Sequence, residues 1–175
     1  MAEMAKLINP VIPALRRYAR TFVCDAEAAD DLVQDTLERA ISRWHQRRSE
    51  GDPRIWLYTI LHNLAVNYLR RSARRVRELP LDEAHESEMA VSSTQEEALR
   101  HDDILAAVEQ LPEDQRRILL LVSVEDVSYA DAARILNIPI GTVMSRLARA
   151  RARFLKLVEE QGKPTSDRLY LRKVQ

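Results

Sequence analysis

The chain has 175 residues, 46% of them hydrophobic and 31% charged, enough apolar material for one or two compact domains and too much for disorder throughout. A single cysteine, Cys24, excludes an internal disulfide framework and fits a reducing compartment, and the longest purely apolar run, Ile118 to Val122, is far too short to span a membrane. The 27 basic and 27 acidic side chains cancel, yet residues 51–78 hold six basic and two acidic groups, 79–114 one basic and eleven acidic, and 141–175 nine basic and three acidic. A bound polyanion responds to the local field, so two basic blocks around an acidic one keep nucleic acid open as a partner.

Only three glycines and little strand-type alternation make helix the default, and an all-α fold is expected. Ile12, Leu15, Ala19 and Phe22 recur at helical spacing, so residues 11–23 read as an amphipathic helix. Asp25 is placed to cap a second helix burying Val33, Leu37, Ala40 and Trp44. Gln46 to Asp52, polar and containing Gly51, reads as a loop. Asp52 as N-cap and Pro53 in the first turn open a third helix, where the missing proline N–H costs nothing. That helix is expected to bury Leu57, Leu61, Leu64 and Tyr68 and ends in an arginine run, closing a first domain over residues 8–78.

Residues 79–93 carry no convincing period and are acidic, so they read as a linker. Ser93 with Glu96 three residues on is a capping-box pattern, from which a helix runs to Gln110 with Ile104, Val108 and Leu111 on one side. Pro112 starts another helix containing Ile118 to Val122. Ser128 starts a short helix to Leu136, Asn137-Ile138-Pro139 reads as a turn, and a long helix follows from Ile140 to Glu160. Gly162 and Pro164 mark its end, leaving residues 94–160 as a second domain and 161–175 as a tail.

Tyr129 to Val143 has the spacing of a helix-turn-helix. Ala133 is small where two helices must approach closely, and Asn137 falls where the turn needs a positive φ. On the last helix Val143, Leu147, Ala150 and Phe154 share an inward face, while Thr142, Ser145, Arg146, Arg149 and Arg153 share a polar one. Hydroxyls and arginines near the start of such a helix can reach base edges in a major groove, and the later arginines can meet phosphate.

Asp30-Asp31-Leu32-Val33-Gln34-Asp35-Thr36-Leu37-Glu38-Arg39-Ala40 on the second helix and Trp56 to Arg71 on the third are followed by Leu111-Pro112-Glu113-Asp114-Gln115-Arg116 and Gly141-Thr142-Val143-Met144-Ser145-Arg146. Taken together, over roughly residues 10–158, these closely resemble the sigma-70 family, and specifically its extracytoplasmic-function (group 4) members. The resemblance implies a region 2-like bundle, a linker and a region 4-like helix-turn-helix. It implies binding to core RNA polymerase through Asp31, Gln34, Asp35 and Glu38, where carboxylates and an amide on one face can pair with arginines of a partner. It implies that the loop Gln46 to Asp52 and the helix after it read the −10 strand of promoter DNA.

Asn63 matches a family position that contacts that strand, and an asparagine can both donate to and accept from a base edge. Asn67 and His62 are further candidates there, and Arg70, Arg71, Arg74, Arg75 and Arg77 can line a phosphate track. Thr142, Ser145, Arg146, Arg149 and Arg153 are implied to bind the −35 element. Two departures stand out: Thr59 and Ile60 occupy the positions of a duplex-wedging tryptophan pair, and Met144 stands where many relatives have lysine or arginine. Trp44, Trp56 and Tyr68 are expected to pack.

The resemblance further implies control by an anti-sigma factor and a cytoplasmic place of action. No Gly-rich phosphate loop, catalytic constellation or metal-ligand spacing is evident, so neither enzymatic activity, cofactor nor metal is expected. Two other readings remain open. One is a sigma-like decoy that sequesters an anti-sigma factor. The other is a stand-alone helix-turn-helix regulator.

Overall fold

The computed structural model describes residues 2–23, 25–47, 51–78, 104 and 106–160, and the described secondary structure is helical. The expectations for Cys24, the linker 79–93, the Ser93–Glu96 capping box and the tail 161–175 lie outside these residues. The chain divides into two compact units.

In the first unit, α1 (Ala2–Ile8) leads through a 3-10 turn (Asn9–Val11) into α2 (Ile12–Ala19). Pro10 and Pro13 sit in the first turns of these elements, where no intrahelical N–H is needed. Helix α1 is absent from the sequence reading, and the expected helix over 11–23 is shorter, because the chain turns after Ala19. Phe22 N–H donates to the Ala19 carbonyl at 2.9 Å and Thr21 N–H to the Tyr18 carbonyl at 3.0 Å. The turn swings Phe22 and Val23 into the core beside Val11, Leu15, Tyr18 and Ala19.

Helix α3 (Ala26–Ser42) starts where expected: the Asp25 carboxylate accepts from Ala28 N–H at 2.9 Å. It buries Ala29, Leu32, Val33, Thr36 and Ala40 at helical spacing, while Leu37 is half-buried. Thr36 is tolerated inside because its hydroxyl donates to the Leu32 carbonyl at 2.7 Å. Trp44 lies beyond the helix, in a 3-10 turn (Trp44–Gln46), half-buried.

Helix α4 (Pro53–Glu78) packs on α3 and α2. It buries Leu57, Tyr58, Leu61 and Ala65, whereas Leu64 is half-buried and Tyr68 is 40% exposed. Tyr68 lies on the core side of the helix by phase, but no described side chain after Ala65 is buried. Val66 and Leu69 are half-buried, and Asn67, Tyr68, Arg70, Arg71, Ser72, Ala73 and Arg74 are exposed.

The second unit is built around α6 and α8. Of a preceding helix, α5, residues 106–109 are described; Ala107 is buried, and of the residues expected inward Leu111 is buried, Val108 half-buried and Ile104 41% exposed. The Arg116 guanidinium donates to the Glu109 and Leu111 carbonyls, which end that helix without partners of its own. Pro112 caps α6 (Glu113–Leu119), which widens into a π-helical turn (Leu120–Val124). There Glu125 N–H reaches back to the Leu120 carbonyl at 3.0 Å, and Asp126 adopts φ 54°.

Ser128 caps α7 (Tyr129–Leu136): its oxygen accepts from Asp131 N–H at 3.1 Å while its hydroxyl donates to the Asp131 carboxylate at 2.6 Å. The helix ends at Asn137, φ 52°, with Ile138 N–H on the Ala133 carbonyl and Asn137 N–H on the Arg134 carbonyl. This pair of bonds is a Schellman motif, and it needs the left-handed residue that Asn137 supplies. Helix α8 (Ile140–Glu160) packs on α6 and buries Val143, Leu147 and Ala150, with Phe154 half-buried.

Candidate nucleic-acid and partner interfaces

On α3 the buried residues occupy one side, and Asp31, Gln34, Asp35 and Glu38 are all exposed on the other. Gln34 Nε2 donates to Glu38 Oε1 at 3.1 Å, so the amide and carboxylate are pre-oriented as one patch. The neighbouring Asp30 is engaged with Arg16 at 2.9 Å and belongs to the α2–α3 packing.

The candidates on α4 separate into two groups. Asn63, Asn67, Arg70, Arg71 and Arg74 are exposed at spacings of three and four, which places them along one side of the helix. Asn67, Arg70, Arg71 and Arg74 line a groove of about 390 Å³, and Arg71 Nε donates to the Asn67 carbonyl at 3.3 Å. The side chains of Arg75 and Arg77 lie outside the description. His62 does not join this surface. Its Nδ1 shares a 3.0 Å hydrogen bond with the Tyr18 hydroxyl, and its ring packs on Phe22 at 5.5 Å. Tyr18 in turn meets Phe22 and Tyr58 edge-on, so His62 is the polar end of a ring cluster joining α2 to α4.

Beside the loop before α4, Trp44 and Trp56 pack as expected, and Arg47 joins them in a way that sequence reasoning missed. Trp44 and Trp56 pack edge-to-face at 6.0 Å, and the Arg47 guanidinium lies 4.8 Å over the Trp44 ring while donating to the Gly51 carbonyl at 2.9 Å. Asp52 accepts from Arg54 N–H at 2.8 Å and from its side chain at 2.9 Å. Partial burial pushes the Asp52 carboxyl up, but the Arg54 hydrogen bonds and charge outweigh it and hold the group below its usual 3.8. A tryptophan-arginine pair near a basic helix was the available signal. Thr59 and Ile60, the wedge positions, are half-buried, and the Thr59 hydroxyl is turned back onto the Ile55 carbonyl.

On α8 the five candidates form one stripe. Ser145, Arg149 and Arg153 are exposed, and Thr142 and Arg146 are half-buried. Ser145 Oγ donates to the Thr142 carbonyl at 3.2 Å, and Arg149 Nε to the Ser145 carbonyl at 3.3 Å. Arg146 is drawn toward α6, its Nε 3.5 Å from the Asp114 carboxylate. Asp114 is thus a neighbour of the stripe that spacing along α8 could not reveal. Met144, beside the stripe, is 53% exposed. Among the described residues no group of three acidic, histidine or cysteine side chains could hold a metal, and no helix is long and apolar enough to cross a membrane.

Residues 101–154 match the family described as sigma-70, region 4, and residues 8–62 match the one described as the Sigma2 domain of PhyR. The chain is 35% identical over 155 residues to the ECF RNA polymerase sigma factor EcfG of Rhodopseudomonas palustris, covering 89% of this chain and 84% of that one. The chain belongs to the extracytoplasmic-function sigma factors. The sigma factor is also similar to RpoE of Bartonella quintana, solved with the anti-sigma factor NepR. There the identity is 32% and the TM-score 0.79, over 91% of this chain and 98% of that one. The anti-anti-sigma factor PhyR of the same organism, in complex with NepR, is 18% identical with a TM-score of 0.51, covering 87% of this chain and 49% of that one. That likeness is one of fold alone. The family expected from the motifs on α3, α4 and α8 is the family found.

Proposed function

We propose that this sigma factor binds core RNA polymerase through Asp31, Gln34, Asp35 and Glu38 and directs it to promoters. Asn63, Asn67, Arg70, Arg71, Arg74 and Arg75 engage the −10 element, and Thr142, Ser145, Arg146, Arg149 and Arg153 the −35 element. The observation that carries this reading is the pairing, on one chain of this family, of two exposed basic stripes on helices of separate units, one past the core of α4 and one along α8. Phosphate contacts from the arginines position such a protein, and the amides and hydroxyls specify sequence. The functional division follows residues 8–78 and 94–160, joined by 79–93 and followed by 161–175. The chain acts in the cytoplasm, and the chemistry of RNA synthesis belongs to the polymerase. Because the Bartonella relative is held by an anti-sigma factor, an inhibitor of that kind is a fitting regulator of this chain.

A second reading, a decoy that captures an anti-sigma factor, is favoured by one observation, the match of residues 8–62 to the Sigma2 domain of PhyR. A decoy has no need of the basic stripes, which weighs against it. In vitro transcription with core polymerase and genomic fragments separates the two. New start sites that depend on the chain are expected. Capture of an anti-sigma factor with no such start site establishes the decoy instead.

A further inference from the structure

The outward side of α8 is divided lengthwise. One half is the stripe of hydroxyls and arginines already described. The other half carries Ile140, Met144, Ala148 and Ala152, spaced every four residues and all exposed, over a length of about 18 Å. Ile140 is 50% and Met144 53% exposed, so neither is a core residue with an edge showing. Gly141 stands between the halves, and a side chain added there would meet nothing within 4 Å. No acidic residue occurs on the helix before Glu159.

A surface helix ordinarily fills such a side with charged groups, and single apolar residues scattered on a surface need no explanation. An unbroken apolar line of this length does. It has no negative charge, it borders groups suited to base edges and phosphate, and its two alanines hold it low where a surface must come close. The chemistry that matches an apolar side chain in the major groove is the C5 methyl group of thymine, the one apolar feature that base pairs present there. Residues near the start of a recognition helix are those that reach base edges. Met144 lies in the second turn of α8, where Ala148 and Ala152 lie further along.

We propose that Met144 is a specificity-determining residue that packs on a thymine methyl within the −35 element. The helix then reads one position by apolar contact where a basic residue would hydrogen-bond a guanine edge or meet phosphate. This inference rests on the assignment of α8 to the −35 element. Unbranched and soft, methionine fits a methyl group without demanding one rotamer.

The test uses holoenzyme, core polymerase with the full chain, and a promoter duplex selected from random DNA by that holoenzyme. Each −35 thymine, on either strand, is replaced in turn by uracil, which removes the methyl and leaves the pairing edge intact. At one position the wild-type holoenzyme should lose about fourfold in affinity, the worth of one buried methyl group. In Met144→Ala that loss should vanish, while Met144→Leu should retain most of it. Thermal melting of the two variants serves as the control for folding. The proposal is overturned if no thymine shows a methyl effect, if the effect is unchanged in Met144→Ala, or if the selected −35 segment holds no thymine. Weaker binding of Met144→Ala to core polymerase, with no methyl effect, assigns the strip to a protein and also overturns it. Failure of the wild-type holoenzyme to select any duplex is a different result, and it removes the underlying promoter-binding assignment.

Discussion

Asn137 carries the turn on which the orientation of α8 depends. Its φ of 52° is a conformation that costs most side chains about 1–2 kcal/mol, which asparagine softens and glycine escapes. Asn137→Ala should therefore lower the stability of the helix-turn-helix by about 1 kcal/mol, and Asn137→Gly should change it by a few tenths, as read from urea denaturation midpoints. The residue was legible because turn chemistry is local. Asp114 was not, because its tie to Arg146 joins residues far apart in sequence. An exposed pair of this kind is worth about 0.2–1 kcal/mol, and the carboxylate repels approaching phosphate. Asp114→Asn should tighten binding to −35 duplex about two- to fivefold at low salt, with the gain fading as salt rises, measured by fluorescence-free filter binding with holoenzyme. Asp52 gives a pH signature. Its folded value lies below 3.8, so its bonds to Arg54 stabilise the start of α4 above that pH and are lost as pH falls through the folded value. Asp52→Asn should remove that part of the acid sensitivity, seen as a flatter loss of helicity below about pH 4 than in the parent chain.

At the scale of elements, the starts of helices were the most legible feature, since a cap is written in one or two residues. Asp25, Asp52 and Ser128 all act where the sequence placed them. Ends and faces were less so. Periodicity alone put Tyr68 in the core, but no described side chain of α4 after Ala65 is buried, and phase says nothing about where a partner stops. Helix α1 escaped because Asn9 and Pro10 break the pattern before α2. The π-helical turn escaped because its extra residue depends on packing, which no local rule encodes. The exposed arginines on the later turns of α4 have a measurable role. Arg70→Ala with Arg71→Ala should weaken promoter binding across sequences and make the salt dependence of log K shallower by about 1.4 to 1.8. An unchanged slope in a salt titration of the holoenzyme would remove these arginines from the phosphate track.

For the whole molecule, zero net charge concealed a partition that the block counts recovered: acid in the middle, base on either side. The structure gives the two basic blocks surfaces, with arginines facing outward on α4 and α8, and Asp31 and Asp35, ahead of all three blocks, face outward on α3. Which candidates lie together was legible from spacing on a single helix, whereas relations between helices, such as His62 with Tyr18, required the fold. Asp31→Ala with Asp35→Ala should leave the melting temperature within a degree or two, because both side chains are exposed, while core polymerase no longer co-elutes with the chain on gel filtration.

The chain has two tryptophans, and both stand in the first unit, 6.0 Å apart beside the loop that leads into α4. Indole emission is thus a reporter placed within that unit. Followed against circular dichroism during one melt, it distinguishes units that unfold together from units that unfold in succession, with no label attached.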